Sequence, residues 1–199
     1  MGRSTNTEAR RAQIADALIG LLGRASFAET SVATIAKAAG LAHGLVHHHF
    51  SSKEEVLELA VERLAVQLEL RLQSLLRATG DDPHARVDAF IDAWLSLGDG
   101  ADPRAALAWV AVGEEARRSA TVKRVYVEAL ERSRAHLIGE IGRCLSVKGR
   151  VRARPIAEAI VVAIEGALRA GAAGGLQEGS AAPMVHAIFR ALVRDERSR

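Results

Sequence analysis

Four of the seven histidines, His43, His47, His48 and His49, crowd into seven consecutive residues. An imidazole can ligate a metal, hydrogen-bond a phosphate, accept a proton or simply fill space. Spacing sorts these uses. His43 and His47 are four apart, so on a helix they share a face at metal-ligand spacing. His47, His48 and His49 are consecutive and diverge around a helix, so they cannot all hold one ion. No carboxylate or cysteine stands beside them to complete a ligand set. A two-histidine fragment is all that remains, and no metal is expected. Imidazoles set beside phosphate, or used structurally, are the other readings. As a proton acceptor, neither His47 nor His136 has a nucleophile partner visible in the sequence. There is no Gly-rich phosphate loop, paired catalytic carboxylates or nucleophile motif, so no enzyme and no cofactor are expected.

The elements around the histidines say more. Residues 31–53, SVATIAKAAGLAHGLVHHHFSSK, read as two short helices joined by a tight turn and followed by the capped start of a third. Ser31 is the expected N-cap of the first, with Val32, Ile35, Ala36 and Ala39 inward. Gly40 ends it by adopting positive φ. The next helix runs from about Ala42 to His49. Ala36, Ala39 and Gly40 are small where the helices must cross, Leu41 and Val46 plug the space between them, and Phe50 anchors the far end. Ser52-Lys53-Glu54-Glu55 is a capping-box pattern. This is the layout of a helix-turn-helix, which presents one helix to the major groove of DNA. Residues 1–53 hold six Lys or Arg against three acids, a net of +3, and the remainder holds 21 of each sign. All the excess positive charge of the chain therefore lies in this segment, which permits phosphate binding.

The rest also reads as helical, with no convincing strand. Thr5-Asn6-Thr7-Glu8 is a possible capping box for a first helix reaching about Ala25. Leu57, Val61, Leu64, Leu68, Leu72 and Leu75 form one stripe of a long helix that opens at Ser52. Thr79 to Pro83 and Gly98-Asp99-Gly100 are turns, and Asp102-Pro103 starts another helix. Helices follow from about Ala120 to Leu145, Pro155 to Ala173 and Ser180 to Arg194, with a basic loop at 146–153. The chain has 199 residues and one cysteine, Cys144, so it has no internal disulfide. The polar N-terminus and the absence of an unbroken apolar stretch argue against a signal core or a membrane span, and a cytoplasmic location is expected.

The residues Ile35-Ala36, Ala39-Gly40-Leu41, His47, His49-Phe50 and Lys53 resemble the TetR family of bacterial transcriptional repressors, with a close match over residues 10–57. The resemblance implies an all-α fold of about nine helices: a three-helix DNA-binding domain over residues 1–52, then a larger effector-binding and dimerisation bundle over 53–199. It implies that Ser31 and Lys53 meet the DNA backbone and that His47 does so where the family usually has tyrosine. Thr34, His43, Gly44, Leu45 and His48 would face the groove. Two residues depart from the pattern. Ala42 stands where a serine or threonine often caps the recognition helix, and Leu45 is apolar at a position expected to face bases, where it can pack on a thymine methyl.

For the bundle, Phe90, Trp94, Trp109, Tyr126 and His136 are candidate lining residues for a cavity, or ordinary core. The stretch from Trp109 to His136 is similar to the choline-responsive branch of the family, without naming an effector. Ala163, Gly166, Ala167 and Ala170 put small residues along one helix, and Ile188, Phe189 and Leu192 put large apolar ones on the last. These helices pack within the chain or, as the family implies, pair with their twins. The function implied is a homodimeric repressor on a near-palindromic operator, released by an unknown small molecule. A ligand-responsive activator of the same fold, an all-helical enzyme and a protein-binding helix-turn-helix module are the alternatives.

Overall fold

A computed structural model describes residues 2–96 and 102–194, with side chains from Asn6 onward. The expected Gly98-Asp99-Gly100 turn lies outside the described residues. Among these residues all regular structure is helical: α1 (Gly2–Leu22), α2 (Val32–Ala38), α3 (His43–His49), α4 (Lys53–Thr79), α5 (Pro83–Leu95), α6 (Pro103–Glu115), α7 (Ala120–Cys144), α8 (Ala153–Ala172) and α9 (Ala181–Arg194), with a 3-10 turn at Gly149–Arg152. None of the described helices is long and apolar enough to cross a membrane.

Local hydrogen bonding explains many of the boundaries. Ser31 Oγ accepts the Thr34 N–H at 3.1 Å and so caps α2. Gly40, at φ +67°, turns the chain out of α2. The Gly40 N–H reaches Lys37 O at 3.1 Å and the Leu41 N–H reaches Ala36 O at 2.9 Å, the paired bonds of a Schellman ending. Asp82 accepts the His84 and Ala85 N–H groups at 3.2 and 3.3 Å, with Pro83 in the first turn of α5. At α4, Ser52 Oγ accepts the Glu55 N–H at 3.1 Å. The Glu55 carboxylate, however, reaches back to the N–H of Ser51 at 2.8 Å, one residue beyond the expected capping box. The expected box at Thr5 does not start α1. That helix already runs from Gly2, and no proline in residues 2–4 stops it.

Two compact units result. The first comprises residues 1–67 and 103–129; the second comprises 68–102 and 130–199. In the first, Ile14 and Leu18 of α1, Ile35 of α2, Val46 of α3, Phe50, and Val56 and Leu57 of α4 are buried together with Trp109 of α6. In the second, α5, α8 and α9 close over Phe90, Ile91, Leu137, Ile141, Ile160 and Phe189. Glu140 is a buried acid, at 6% exposure. It is offset by Arg86 at 2.8 Å and Arg143 at 2.9 Å, the latter also bonding Asp81 at 2.6 Å. Pairing from two sides is what a buried carboxylate requires.

Candidate nucleic-acid interface

Five of the seven residues of α3 look outward or sideways. His43, Gly44, His47 and His48 are exposed and Leu45 is half-buried. Val46 is the inward residue of this helix, at 1% exposure. His43 and His47 meet edge to face with ring centroids 4.8 Å apart, and His48 and His49 do so at 5.2 Å. The i,i+4 spacing of the first pair is thus realised on one face. Among the described residues, no group of three or more His, Cys, Asp or Glu is arranged to hold a metal ion.

A helix of two turns is not stable by itself, and three side chains from other helices fix this one and its partner. Arg11 of α1 donates to the His49 carbonyl, pairs with Glu55 at 2.9 Å and lies 4.1 Å above the Phe50 ring. Gln13 Nε2 donates to the Ala39 carbonyl at 2.7 Å, tying the end of α2 to α1. Lys53 Nζ donates to the Phe27 carbonyl at 2.9 Å and sits 4.2 Å above the Phe27 ring. Burial of the Phe50 ring at 3% exposure completes the anchor. The Glu55 carboxyl, held by the Ser51 N–H and by Arg11, is lowered to about 2. Sequence reasoning missed Arg11 and Gln13. Their only signal is that two long polar side chains precede the apolar residue Ile14 on the face of α1 turned toward α2 and α3.

The expected contact residues fall out as follows. Ser31 and Thr34 are exposed at the start of α2, their hydroxyls 2.9 Å apart. Ala42 takes the N-cap position of α3 with extended backbone (φ −67°, ψ 142°) and makes no side-chain cap bond. The missing cap inferred from sequence is therefore real. Lys53 is half-buried and commits one of its three N–H donors to Phe27, so it frames the motif as well as carrying charge. His49 is half-buried beside Arg11. Its proton affinity is lowered by burial first, then by His48, Arg11 and Arg10.

Comparison with known proteins agrees with this geometry. The profile of bacterial regulatory proteins of the tetR family matches residues 14–60. That of the BetI-type transcriptional repressor C-terminal domain matches residues 83–195, more than half of the chain. The chain belongs to the TetR family, with a C-terminal domain of the BetI type. The HTH-type transcriptional regulator BetI of Vibrio parahaemolyticus is 28% identical over 80% of this chain and 78% of its own length. The BetI of Rhizobium meliloti is 31% identical over 65% and 63%. Among solved structures, a transcriptional regulator from Rhodococcus superposes with a TM-score of 0.80 at 24% identity, covering 93% of this chain and 96% of that one. A putative transcriptional regulator from Saccharomonospora viridis, solved in complex with choline, superposes with a TM-score of 0.73 at 19% identity, covering 94% and 96%. The chain is thus a DNA-binding transcriptional regulator of the TetR family, a family that is not enzymatic.

In this TetR-family chain α8 and α9 pack on each other and on α5. Ala163, Ala167 and Ala170 are half-buried and Gly166 is exposed along α8. On α9, Ile188 is 41% exposed and Leu192 half-buried. Phe189 is a correction. It is 0% exposed, its ring 5.8 Å from that of His84 on α5. It fills the chain's own core and offers nothing to a partner. Val162, 69% exposed, and Met184, 50% exposed, are further large apolar side chains at the surface of these two helices. Val162 precedes Gly166 by four, and Met184 precedes Ile188 by four. A groove along α9, lined by Pro183, His186, Ala187, Arg190, Ala191 and Arg194, continues this face. The five candidate cavity residues form two contacts within units. Trp109 and Tyr126 meet in the first, ring centroids 5.2 Å apart. Phe90 stacks on His136 in the second, at 6.2 Å and 18°. Trp94 is half-buried against the second core. His136 Nε2 is buried without a hydrogen-bond partner among the described residues.

Proposed function

We propose that this chain is a homodimeric repressor that grips a near-palindromic operator with two copies of α3 and lets go when a small molecule binds its C-terminal domain. The single observation carrying the DNA contact is an outward set, His43, Gly44, His47 and His48, on a helix whose frame is pinned by Arg11, Gln13 and Lys53. Ser31, His47 and the remaining donors of Lys53 meet phosphates, which fixes register. Thr34, His43, Gly44, Leu45 and His48 face base edges. Gly44 has open space around its Cα, so the DNA can approach α3 closely there. The DNA-reading function belongs to residues 1–52, and effector binding and dimerisation to 53–199. Work on chromosomal DNA places the protein in the cytoplasm.

A single recognition helix reads few bases, and a two-fold pair doubles the contact. The apolar surface left on α8 and α9 by Val162, Met184 and Ile188 supports pairing through these helices, with Ala163, Gly166, Ala167, Ala170 and Leu192 beside it. The BetI-type match over residues 83–195 favours repression. A small cationic effector is supported by the structural neighbour from Saccharomonospora viridis, which was solved with choline. Trp109 and Tyr126 offer π faces that attract such a cation. An effector releases DNA only by binding the released state more tightly than the DNA-bound one.

The test is an electrophoretic shift of DNA from upstream of its own gene, with and without choline. A shifted band in low salt that choline reverses supports both parts. A band indifferent to choline removes the cationic effector and leaves the repressor. No band at any protein concentration removes the DNA-binding assignment for residues 1–52.

A further inference from the structure

We propose that Gly44 and Leu45 make the recognition surface of α3 a reader of the thymine 5-methyl group: Gly44 lets the groove come close, and Leu45 covers the methyl. This rests on the DNA-binding reading above and names the base that it selects.

The residue types on α3 restrict what it can read. The helix is His43, Gly44, Leu45, Val46, His47, His48 and His49. It carries no Arg, Lys, Asn or Gln, the side chains that hold a purine edge through two hydrogen bonds at once. Each imidazole can offer one ring nitrogen to a base edge. Of the two large apolar side chains, Val46 is buried at 1% exposure and belongs to the core. Leu45 is half-buried, so part of its surface is open to whatever lies against the helix. Among the groups displayed in the major groove, the thymine 5-methyl is the apolar one. Against a hydrogen-bonding edge, a leucine would shut out water and leave the base group unpaired, which is costly.

A methyl contact needs close approach, because a gap of ~0.5–1 Å already forfeits a quarter to a half of the attraction. Gly44, next to Leu45, removes the obstacle. The chain's own structure gives no reason for a glycine there. Its φ is not in the positive range, it lies within the helix, and a Cβ built on it would meet nothing within 4 Å. Alanine would favour the helix more than glycine does. Bulk added at position 44 would therefore be felt from outside the chain, by the partner of α3.

The frame fixes the reach of Leu45. Val46 beside it is locked in the core, Phe50 is buried at the end of the helix, and the His49 carbonyl is held by Arg11. Rotation of α3 toward or away from the groove would break these contacts. Thr34 carries a methyl of its own, and its hydroxyl lies 2.9 Å from that of Ser31. A change in the duplex alone would not separate the two residues, so the assignment to Leu45 requires a variant of Leu45.

The experiment is fluorescence anisotropy with labelled duplexes from upstream of the gene, made with thymine or with deoxyuridine at every thymine position. The exchange removes the 5-methyl and leaves the pairing edge unchanged. The proteins are wild type, Leu45→Ala and Gly44→Ala, each checked for fold by circular dichroism and thermal melting. Wild type is expected to bind the deoxyuridine duplex ~4-fold more weakly for each methyl covered, hence ~15-fold for a dimer using both half-sites. On a scrambled duplex the same exchange is expected to change affinity by less than ~2-fold, because non-specific binding rests on phosphates. Leu45→Ala is expected to bind both upstream duplexes within ~2-fold of each other, the coupling that a double-mutant cycle reads. Gly44→Ala is expected to melt no lower than wild type and to bind the thymine duplex at least ~4-fold more weakly. Equal wild-type affinity for the two upstream duplexes overturns the proposal without need of a variant. So does a Leu45→Ala protein that keeps the preference, or a Gly44→Ala protein of undiminished affinity. DNA binding stands in each of these cases. Absence of binding to either duplex in low salt overturns the DNA-binding reading with it.

Discussion

The DNA-reading head and the α8–α9 pair are held by different forces. In the head, α2 and α3 have seven residues each. Their positions depend on single side chains reaching backbone carbonyls: Arg11 to His49, Gln13 to Ala39, Lys53 to Phe27. In the pair, 20 and 14 residues meet along continuous apolar stripes, and no individual bond decides the outcome. Reading DNA requires donors fixed to a fraction of an ångström. Adhesion between helices requires area. The head therefore spends polar anchors on position, while the pair keeps Val162, Met184 and Ile188 on its surface.

That contrast can be broken by substitution. The largest effect is expected from Phe50→Ala, which empties the centre of the head. Burial at 3% exposure implies a loss of about 3–5 kcal/mol. Urea unfolding should show it, and operator binding should vanish while sedimentation still reports the dimer. Simultaneous loss of the dimer would show that the two regions are not energetically separable.

Ile188→Asp addresses the other region. If the side chain is covered in the dimer, the change forfeits roughly 1.5–3 kcal/mol of burial per copy and adds an unpaired charge. Sedimentation velocity should then find monomers with an intact helical spectrum. A dimer of unchanged strength would move the interface away from this face.

Arg11→Ala is expected to cost about 1–3 kcal/mol, because it leaves the His49 carbonyl without its donor and Glu55 without its partner. It should weaken DNA binding more than it lowers global stability. Its acid behaviour sharpens the point. The folded Glu55 carboxyl is lowered to about 2 from 4.5 by the Ser51 N–H, Arg11 and the Ser51 hydroxyl. The stability it contributes is present above the unfolded value and is lost as pH falls from there toward the folded one. An acid melt of Glu55→Gln should lack that component, and an unchanged melt would remove Glu55 from the frame.

The smallest expected effect is a gain. Ala42→Ser places a hydroxyl at an N-cap whose backbone is already extended, worth about 0.5–1 kcal/mol. Thermal denaturation of the variant should rise by a few degrees or less. A drop would mean that α3 tolerates no change at its start.

The head was legible in the sequence because its signals are local. Ser31 caps the residue three ahead of it, Gly40 supplies the one positive φ the turn requires, and Ala36, Ala39 and Phe50 are small or large where the crossing demands. The anchors were not legible. Arg11 reaches 38 residues ahead to His49 and Lys53 reaches 26 back to Phe27, and although Lys53 stood out as a DNA-backbone contact and Arg11 as a polar residue ahead of Ile14, neither local pattern names so distant a partner. In α9 the difficulty was of another kind. Periodicity identifies an apolar stripe but not which edge faces the chain's own core. Val185, Phe189 and Val193 took the inner edge and Met184 and Ile188 the outer, which is why Phe189 was misassigned. The cavity candidates show a third limit: aromatic residues scattered between positions 90 and 136 supply packing partners such as Trp109 and Tyr126, but do not name a ligand.

The most direct test of the central claim, that α3 reads DNA from a frame fixed by α1 and α4, is a salt series of anisotropy titrations on two duplexes. One carries DNA from upstream of the gene and the other a scrambled copy. The account predicts tighter binding to the first at every salt concentration, with log affinity for both falling linearly as log salt rises. Equal affinity for the two duplexes, or affinity indifferent to salt, would contradict it.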